Sequence, residues 1–349
     1  MSTIDIRAAA LHIDAKTLSS TDGLERDLSK FLEGLDNFAE STHLKIVSKR
    51  VVAPLTSESE LERTLKTLYE RAESQGINYV GIPLGHWDPS TLYEALLTYP
   101  RLFLSVEYGP GSESDILKVF RVFSESSYML ATRFAVSFGQ RVQTPYFPAT
   151  QSKENGVSLS LLYVEQFKKG ALLESLLERL KEMQRQAEAS WDSFLGVDLS
   201  ISPWMERSVA SLVEEISGIT FTLPGTIAAI RELNRRIEYL ASHVKTTGFN
   251  EVMLPLAEDN RLKELARIGQ LRFSHLLNYA SYCVAGLDMV VIPDTSEDTV
   301  LLGLLRDLWD IHLLKRRPLG MRLILAPAED GSDIDLGMFG KTPVLSPLR

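Results

Sequence analysis

Residues 249–298 concentrate the groups of this chain that could do chemistry. They hold its one cysteine, Cys283, and two strand-like runs that each end in proline and acid. Residues 249–255 lead into Glu258 and Asp259, and residues 286–293 lead into Asp294. An acid just past a buried strand stands at a sheet's mouth, where it either faces a ligand or caps the next helix. Period-two spacing adds partners, because alternate residues of a strand share a face. His12 and Asp14 end one row, behind Ile4, Ile6, Ala8 and Ala10. Ser158 and Ser160 share a second, Asp198 and Ser200 a third, and Asp288, Val290, Ile292 and Asp294 a fourth. A histidine among carboxylates suits general acid–base work. His12, Asp14, Asp198, Glu258 and Cys283 are therefore the candidate catalytic residues. Ser200, Asp259, Asp288 and the loop residue Thr144 are the candidate ligand contacts.

Each of these has a plainer reading. A thiolate nucleophile needs a base and a lowered pKa. His275 lies eight residues before Cys283, about two helical turns away and too far along the axis to touch it. A helix over 271–283 puts the thiol near a C-terminus, where the dipole disfavours a thiolate. The expectation is an ordinary or raised thiol pKa, with Cys283 shaping the site instead of attacking. No HExxH or EF-hand loop is present. Glu107, Glu165, Asp198, Glu258, Asp259, Asp288 and Asp294 could still gather into an oxygen site, for which Mg²⁺ or Ca²⁺ would be the cofactor. Singly, each acid is a helix cap or ion-pair partner, and Asp294 before Thr295 and Ser296 reads as a cap. Walker A, GxGxxG and GxSxG patterns are absent from the sequence.

The elements that must position these groups alternate along the chain. Strands are expected at 4–14, 44–53, 78–82, 102–107, 134–138, 157–165, 194–201, 249–255, 286–293 and 321–326. Helical periodicity marks 21–40, 58–75, 114–130, 167–190, 205–217, 226–243, 272–283 and 295–314, with a short helix opened by Asp88-Pro89 and an irregular tail from 334. Roughly ten strands, most followed by a helix, predict an α/β fold with helices outside. One domain over residues 1–349 is preferred to two. The polar rows then face a lumen or crevice, where buried polar groups need partners, water or a ligand; the alternative is that they are solvated faces.

Composition narrows the partners. The 349 residues are 44% apolar and 24% charged, with a net charge of -9, which argues against a general nucleic-acid binder. No window reaches about 18 uncharged apolar residues, so no membrane span is expected. The first residues, MSTIDIRAAALHIDAK, carry charges throughout and lack a signal-peptide core. One cysteine excludes an internal disulfide framework. The expected setting is the cytoplasm and the expected partner a small molecule, with a homodimer left open.

Several segments together resemble one family. Leu195-Gly196-Val197-Asp198-Leu199-Ser200 with Pro203 is similar to its GVDLS-x-x-P motif, and Leu254–Asp259 to its LPVLED segment. Cys283-Val284-Ala285-Gly286-Leu287-Asp288, with Pro293 and Asp294-Thr295-Ser296, resembles CGTGLDTVP-x-x-GDTS. Thr144-Pro145-Tyr146-Phe147-Pro148-Ala149 matches a TPYFPAA loop, and residues 315–325 resemble an LxKPLTARL strand. The family is DUF711, also called UPF0210, whose members are uncharacterised. The resemblance covers nearly the whole chain and implies a single ten-stranded α/β barrel similar to pyruvate formate-lyase and other glycyl radical enzymes. Two departures stand out: the family's Gly-Ser-His-Gly-Thr segment is Thr222-Leu223-Pro224-Gly225-Thr226 here, without the histidine, and Val284-Ala285 replace a Gly-Thr pair. Gly337 and Gly340 lack the Arg-Val-x-Gly-aromatic context of a glycyl radical, so that chemistry is not expected.

Two functional readings follow. One is an enzyme using acid–base chemistry on a small polar metabolite in a carboxylate-lined cavity, with or without a divalent metal. The other is a non-catalytic small-molecule sensor or binding protein using the same cavity.

Overall fold

The computed structural model describes residues 4–85 and 87–348, and its backbone is a mixed α/β arrangement of one large sheet with packed helices. The strands of that sheet are β1 (Asp5–His12), β2 (Lys49–Val52), β3 (Tyr79–Leu84), β4 (Leu102–Tyr108), β5 (Phe134–Phe138), β6 (Gly156–Leu162), β7 (Phe194–Asp198), β8 (Asp288–Pro293) and β9 (Leu319–Ala326). They lie in the order β7-β6-β1-β2-β3-β4-β5-β9-β8. β1 to β5 are mutually parallel. β6 and β9 join this block antiparallel, and β7 and β8 run parallel to β6 and β9. The expected irregular tail instead contains a hairpin of β10 (Asp333–Asp335) and β11 (Lys341–Pro343).

Parallel neighbours need crossover connections, and amphipathic helices supply them. Ser20 caps the helix Thr21–Thr42 by accepting from Gly23 N at 3.2 Å. Its Leu24, Leu28, Phe31, Leu35 and Phe38 form one buried stripe. That stripe shares a core cluster with Ala9 and Leu11 of β1 and with Ile13 just after it. Among the described residues, no helix is long and apolar enough to cross a membrane.

The opposite sheet face is fixed by register, since directly paired residues share a face. Ala10 pairs with Arg50, and Arg50 with Tyr79. Gly81 pairs with Phe103, and Ser105 with Ala135. Ser137 pairs with Gly320, and Arg322 with Asp288. In the other direction Ala10 pairs with Ser158, and Ser160 with Asp198. One face thus carries small, polar and aromatic residues right across the sheet.

Bulges correct two of the expected rows. Register slips between Ile6 and Ala8, so Ile4 and Ile6 join the helix-covered core instead of the row of Ala8, Ala10 and His12. The extra residue is Arg7. A second slip separates Asp288 from Val290 at Met289, whose φ is 54°, and breaks the row expected through Asp294. Asp294 is not the helix cap expected of it. The helix begins at Asp298 with Glu297 at the N-cap position.

The expected strand at 249–255 is not a strand. Gly248 and Asn250 have φ of 82° and 53°, and the amides of Phe249 and Asn250 donate to the Asp198 carboxylate instead of a ladder. What remains are isolated bridges, Val197 to Thr246, Ile201 to Val252 and Met253 to Ala285. They run between the two edge strands of the sheet.

Candidate functional site

Small residues on the inner sheet face leave room for the loop of residues 142–150. A side chain at Gly81 would place Cβ 2.9 Å from the Phe147 ring, and one at Gly320 would sit 3.1 Å from Ala149 Cβ. Asp198 ties the loop down from β7, accepting Thr144 Oγ1 at 2.6 Å. Arg50 Nη1 donates to Pro145 O at 2.9 Å from β2. Tyr146 OH donates to Ser200 O at 3.2 Å. The loop therefore presents Tyr146 and Phe147 as the wall of a cavity of about 370 Å³.

This cavity opens at the amino ends of β1 to β5, where Asp5, Arg7, Arg50, Tyr79, Phe103 and Ala135 line it. Its lining is mostly apolar, with Trp204, Met253, Met321 and Phe339 among the rest. Four acids and bases on its wall, Arg7, Glu258, Arg322 and Asp288, form a chain, and Arg207 and Asp5 make a separate pair. Arg7 Nη2 donates to Glu258 Oε2, and Arg322 Nη2 donates to Glu258 Oε1 at 2.9 Å. Arg322 also grips Asp288 through Nε at 2.7 Å and Nη2 at 2.6 Å. Arg207 Nη1 donates to Asp5 Oδ2 at 2.7 Å. Burial alone would raise the Glu258 pKa, but Arg7 and Arg322 outweigh it and hold the carboxyl below its ordinary value. Burial pushes Asp288 up, against the pull of Arg322.

Arg50 differs from the other arginines of the cavity wall. Its Nε donates to Ser48 Oγ at 3.0 Å and its Nη1 to Pro145 O, both neutral acceptors. The guanidinium carbon lies 5.0 Å from the Phe147 ring centroid and 5.7 Å from that of Tyr79. Burial, and then the charge of Arg7, lower its pKa to about 10, so it stays cationic at neutral pH.

Of the residues singled out in the sequence, Glu258 and Asp288 line the cavity and the others do not. His12 lies on the same sheet face but at the carboxyl end of β1, with Nε2 2.7 Å from Ser158 Oγ, and burial pushes its pKa down to about 3. Asp14 caps the helix Ala15–Leu18, accepting Thr17 N at 2.7 Å. Asp198 accepts from Thr144, from Ser200 N and Oγ, and from the amides of Phe249 and Asn250, so it orders backbone. Ser200 and Thr144 belong to that network and not to the cavity wall.

Asp259 accepts from Ser208 Oγ and from the amides of Val209, Ala210, Arg261 and Leu262. It joins the starts of the helices Val209–Ser217 and Asn260–Arg267, the second of which was not expected. Cys283 is fully buried, donates to Tyr279 O at 3.0 Å, and has its thiol pushed up to about 12 by burial. The proposed acid–base set is thus dispersed.

The remaining acids of the expected metal site are dispersed too. Glu107 pairs with Arg141 at 3.3 Å and Glu165 with Lys168 at 2.5 Å. Among the described residues, no three His, Cys, Asp or Glu side chains stand close enough to hold a metal ion together. The reading by residue type missed Arg7, Arg50 and Arg322. The usable signal was a lone arginine inside an otherwise apolar strand, as in Gly320-Met321-Arg322-Leu323-Ile324. A buried arginine needs a reason.

Comparison with known proteins gives a consistent identity. A family model described as "Uncharacterised ACR (DUF711)" matches residues 116–336. A UPF0210 protein of Sulfurisphaera tokodaii is 25% identical over 408 aligned positions, covering 98% of this chain and 90% of that protein. UPF0210 proteins of Lacticaseibacillus paracasei and Clostridium beijerinckii are 28% and 31% identical over 156 and 157 residues. Those matches cover 43% of this chain in each case, and 35% and 34% of the relatives. In such shorter matches the chain spans about a third of the relative's length.

Proposed function

This chain belongs to the DUF711 family, and on that premise we propose that its arginine-walled pocket binds a small organic molecule as a sensor or carrier, without acid–base turnover. The observation that carries this reading is the pinning of Glu258 between Arg7 and Arg322 on the wall of a largely apolar cavity. A carboxylate held ionised by two guanidinium groups is a poor proton donor, and neutralised arginines are fixed wall elements. Apolar walls with a few convergent polar groups are the usual make-up of a ligand pocket. The acid–base enzyme reading would need His12, Asp14, Asp198 and Cys283 around one ligand, and they are not on the cavity wall.

In this reading residues 246–254 act as a further stave, closing the sheet into a ten-stranded barrel like that of pyruvate formate-lyase, with the whole chain as one domain. The bridges from Val197, Ile201 and Ala285 support it, as does a core cluster that reaches from Ile4 to Leu345. Ala285, on the cavity wall, provides the test. Thermal-shift screening of the purified chain against small apolar molecules should find stabilising ligands. Ala285→Leu, which takes up part of the cavity, should weaken those shifts while the variant still unfolds cooperatively. Turnover that vanishes in a folded Cys283→Ser or His12→Gln variant would overturn the binding reading.

A further inference from the structure

We propose that Arg50 is an anion anchor and that the pocket's ligand carries a single planar carboxylate on an aromatic or otherwise flat apolar body. This rests on the pocket being a binding site, and it adds the head group and its partner.

The argument is one of charge and shape. Five basic residues line the cavity: Arg7, Lys45, Arg50, Arg207 and Arg322. Arg207 is matched by Asp5, and Arg7 and Arg322 share Glu258 and Asp288. Lys45 is exposed to solvent, where water satisfies it. Arg50 alone is a guanidinium set into the pocket with only a hydroxyl and a carbonyl as hydrogen-bond acceptors among the described residues. A charge taken out of water without a counter-charge is costly, so this position suits an anion delivered by the ligand.

The Arg50 Nη2 donors have no protein acceptor among the described residues. A guanidinium edge matches a carboxylate bidentately. One unmatched, partly buried cation suits one negative charge, because Arg7 and Arg322 are already matched by Glu258 and Asp288. The rings of Tyr79 and Phe147 beside Arg50, and Phe103 in edge contact with both at 5.2 and 5.7 Å between centroids, make a surface for a flat apolar body.

Calorimetric titration of the full chain with 2-naphthoate, neutral 2-naphthamide and dianionic 2-naphthyl phosphate tests this. The expected order is naphthoate tightest, with the amide weaker by roughly tenfold or more and the phosphate weaker than the carboxylate. Arg50→Met should erase the preference for naphthoate over naphthamide, a ratio from which any loss common to both probes through the Pro145 contact cancels. Arg50→Lys, which keeps the charge but not the fork, should retain part of the preference and guards against a misfolded methionine variant. Equal binding of acid and amide, or a preference unchanged in folded Arg50→Met, would overturn the anchor and leave the pocket reading standing. Phosphate binding tighter than carboxylate would overturn the single-carboxylate assignment. Failure of all three probes, the neutral one included, would overturn pocket and anchor together.

Discussion

Arg322 holds Asp288 with two parallel bonds, Nε to Oδ1 at 2.7 Å and Nη2 to Oδ2 at 2.6 Å, and the same Nη2 reaches Glu258 at 2.9 Å. One guanidinium therefore serves two buried carboxylates. Removing it leaves both without this partner, which is the costly way to break a buried ion pair. Arg322→Met should destabilise the fold by about 3–5 kcal/mol in urea unfolding. Adding Asp288→Asn to it should recover much of the loss, because Arg7 still holds Glu258 while Asp288 has lost its cation. A single-variant loss under about 1 kcal/mol would show that water already reaches this wall.

His12 lowers stability on the acid side, and His275, also pushed down by burial, acts in the same direction. The folded pKa of His12 is pushed down to about 3 by burial, while an unfolded histidine titrates near 6.5. Between those values the unfolded chain binds a proton that the folded chain refuses, so stability falls as pH drops below about 6.5. The slope from one such group is at most about 1.4 kcal/mol per pH unit. Glu258, with a depressed pKa, adds its loss lower, as pH falls below the ordinary glutamate value of about 4.3. Unfolding free energy measured from pH 7 to 5 should therefore decline in the parent chain and be flatter in His12→Gln. An imidazole signal from His12 that titrates near pH 6.5 in the folded protein would contradict this.

Cys283 should be inert while the protein is folded. Burial pushes its thiol up to about 12, and its hydrogen goes to Tyr279 O. Iodoacetamide at pH 7.5 should label under a tenth of the chains in an hour and nearly all of them in denaturant. Cys283→Ala should keep ligand binding. Rapid labelling of native protein would place the thiol at an accessible surface instead.

The order of strands and helices is largely legible in the sequence, because most strands of the sheet are mainly apolar runs bounded by glycine, proline or charge. β5, for example, occupies the expected residues, Phe134–Phe138. What period-two reasoning cannot see is a bulge. The extra residue at Arg7 changes no composition, yet it turns a charged side chain onto the cavity and Ile4 and Ile6 away from it. Residues 249–255 are apolar enough to be a strand, and a carboxylate fifty residues earlier takes the amides instead. That competition is non-local, so no window of sequence contains it. The acids looked like chemistry because their type was read without their partners. Asp14 and Asp259 are occupied by helix starts and Glu258 by arginines, and the arginines were the missing half of the site.

The last prediction separates positioning from catalysis at Asp198. This carboxylate accepts two hydroxyls and three amides, and through Thr144 it fixes the loop that carries Tyr146 and Phe147 to the cavity. Asn at this position loses the charge and turns one acceptor into a donor facing N–H or O–H groups. Hydrogen bonds to a charged acceptor contribute about 1.5–3 kcal/mol each, so Asp198→Asn should destabilise by at least about 2 kcal/mol. Gly248 offers a second route to the same joint. Its φ is 82°, and an added Cβ would meet Asp198 Oδ2 at 2.0 Å, so Gly248→Ala should push the carboxylate off its donors. Both variants should raise amide hydrogen exchange across residues 142–150 and weaken ligand binding together, without altering the pH dependence of binding. An Asp198→Asn protein with native exchange in that loop and lost ligand affinity would mean that Asp198 touches the ligand itself.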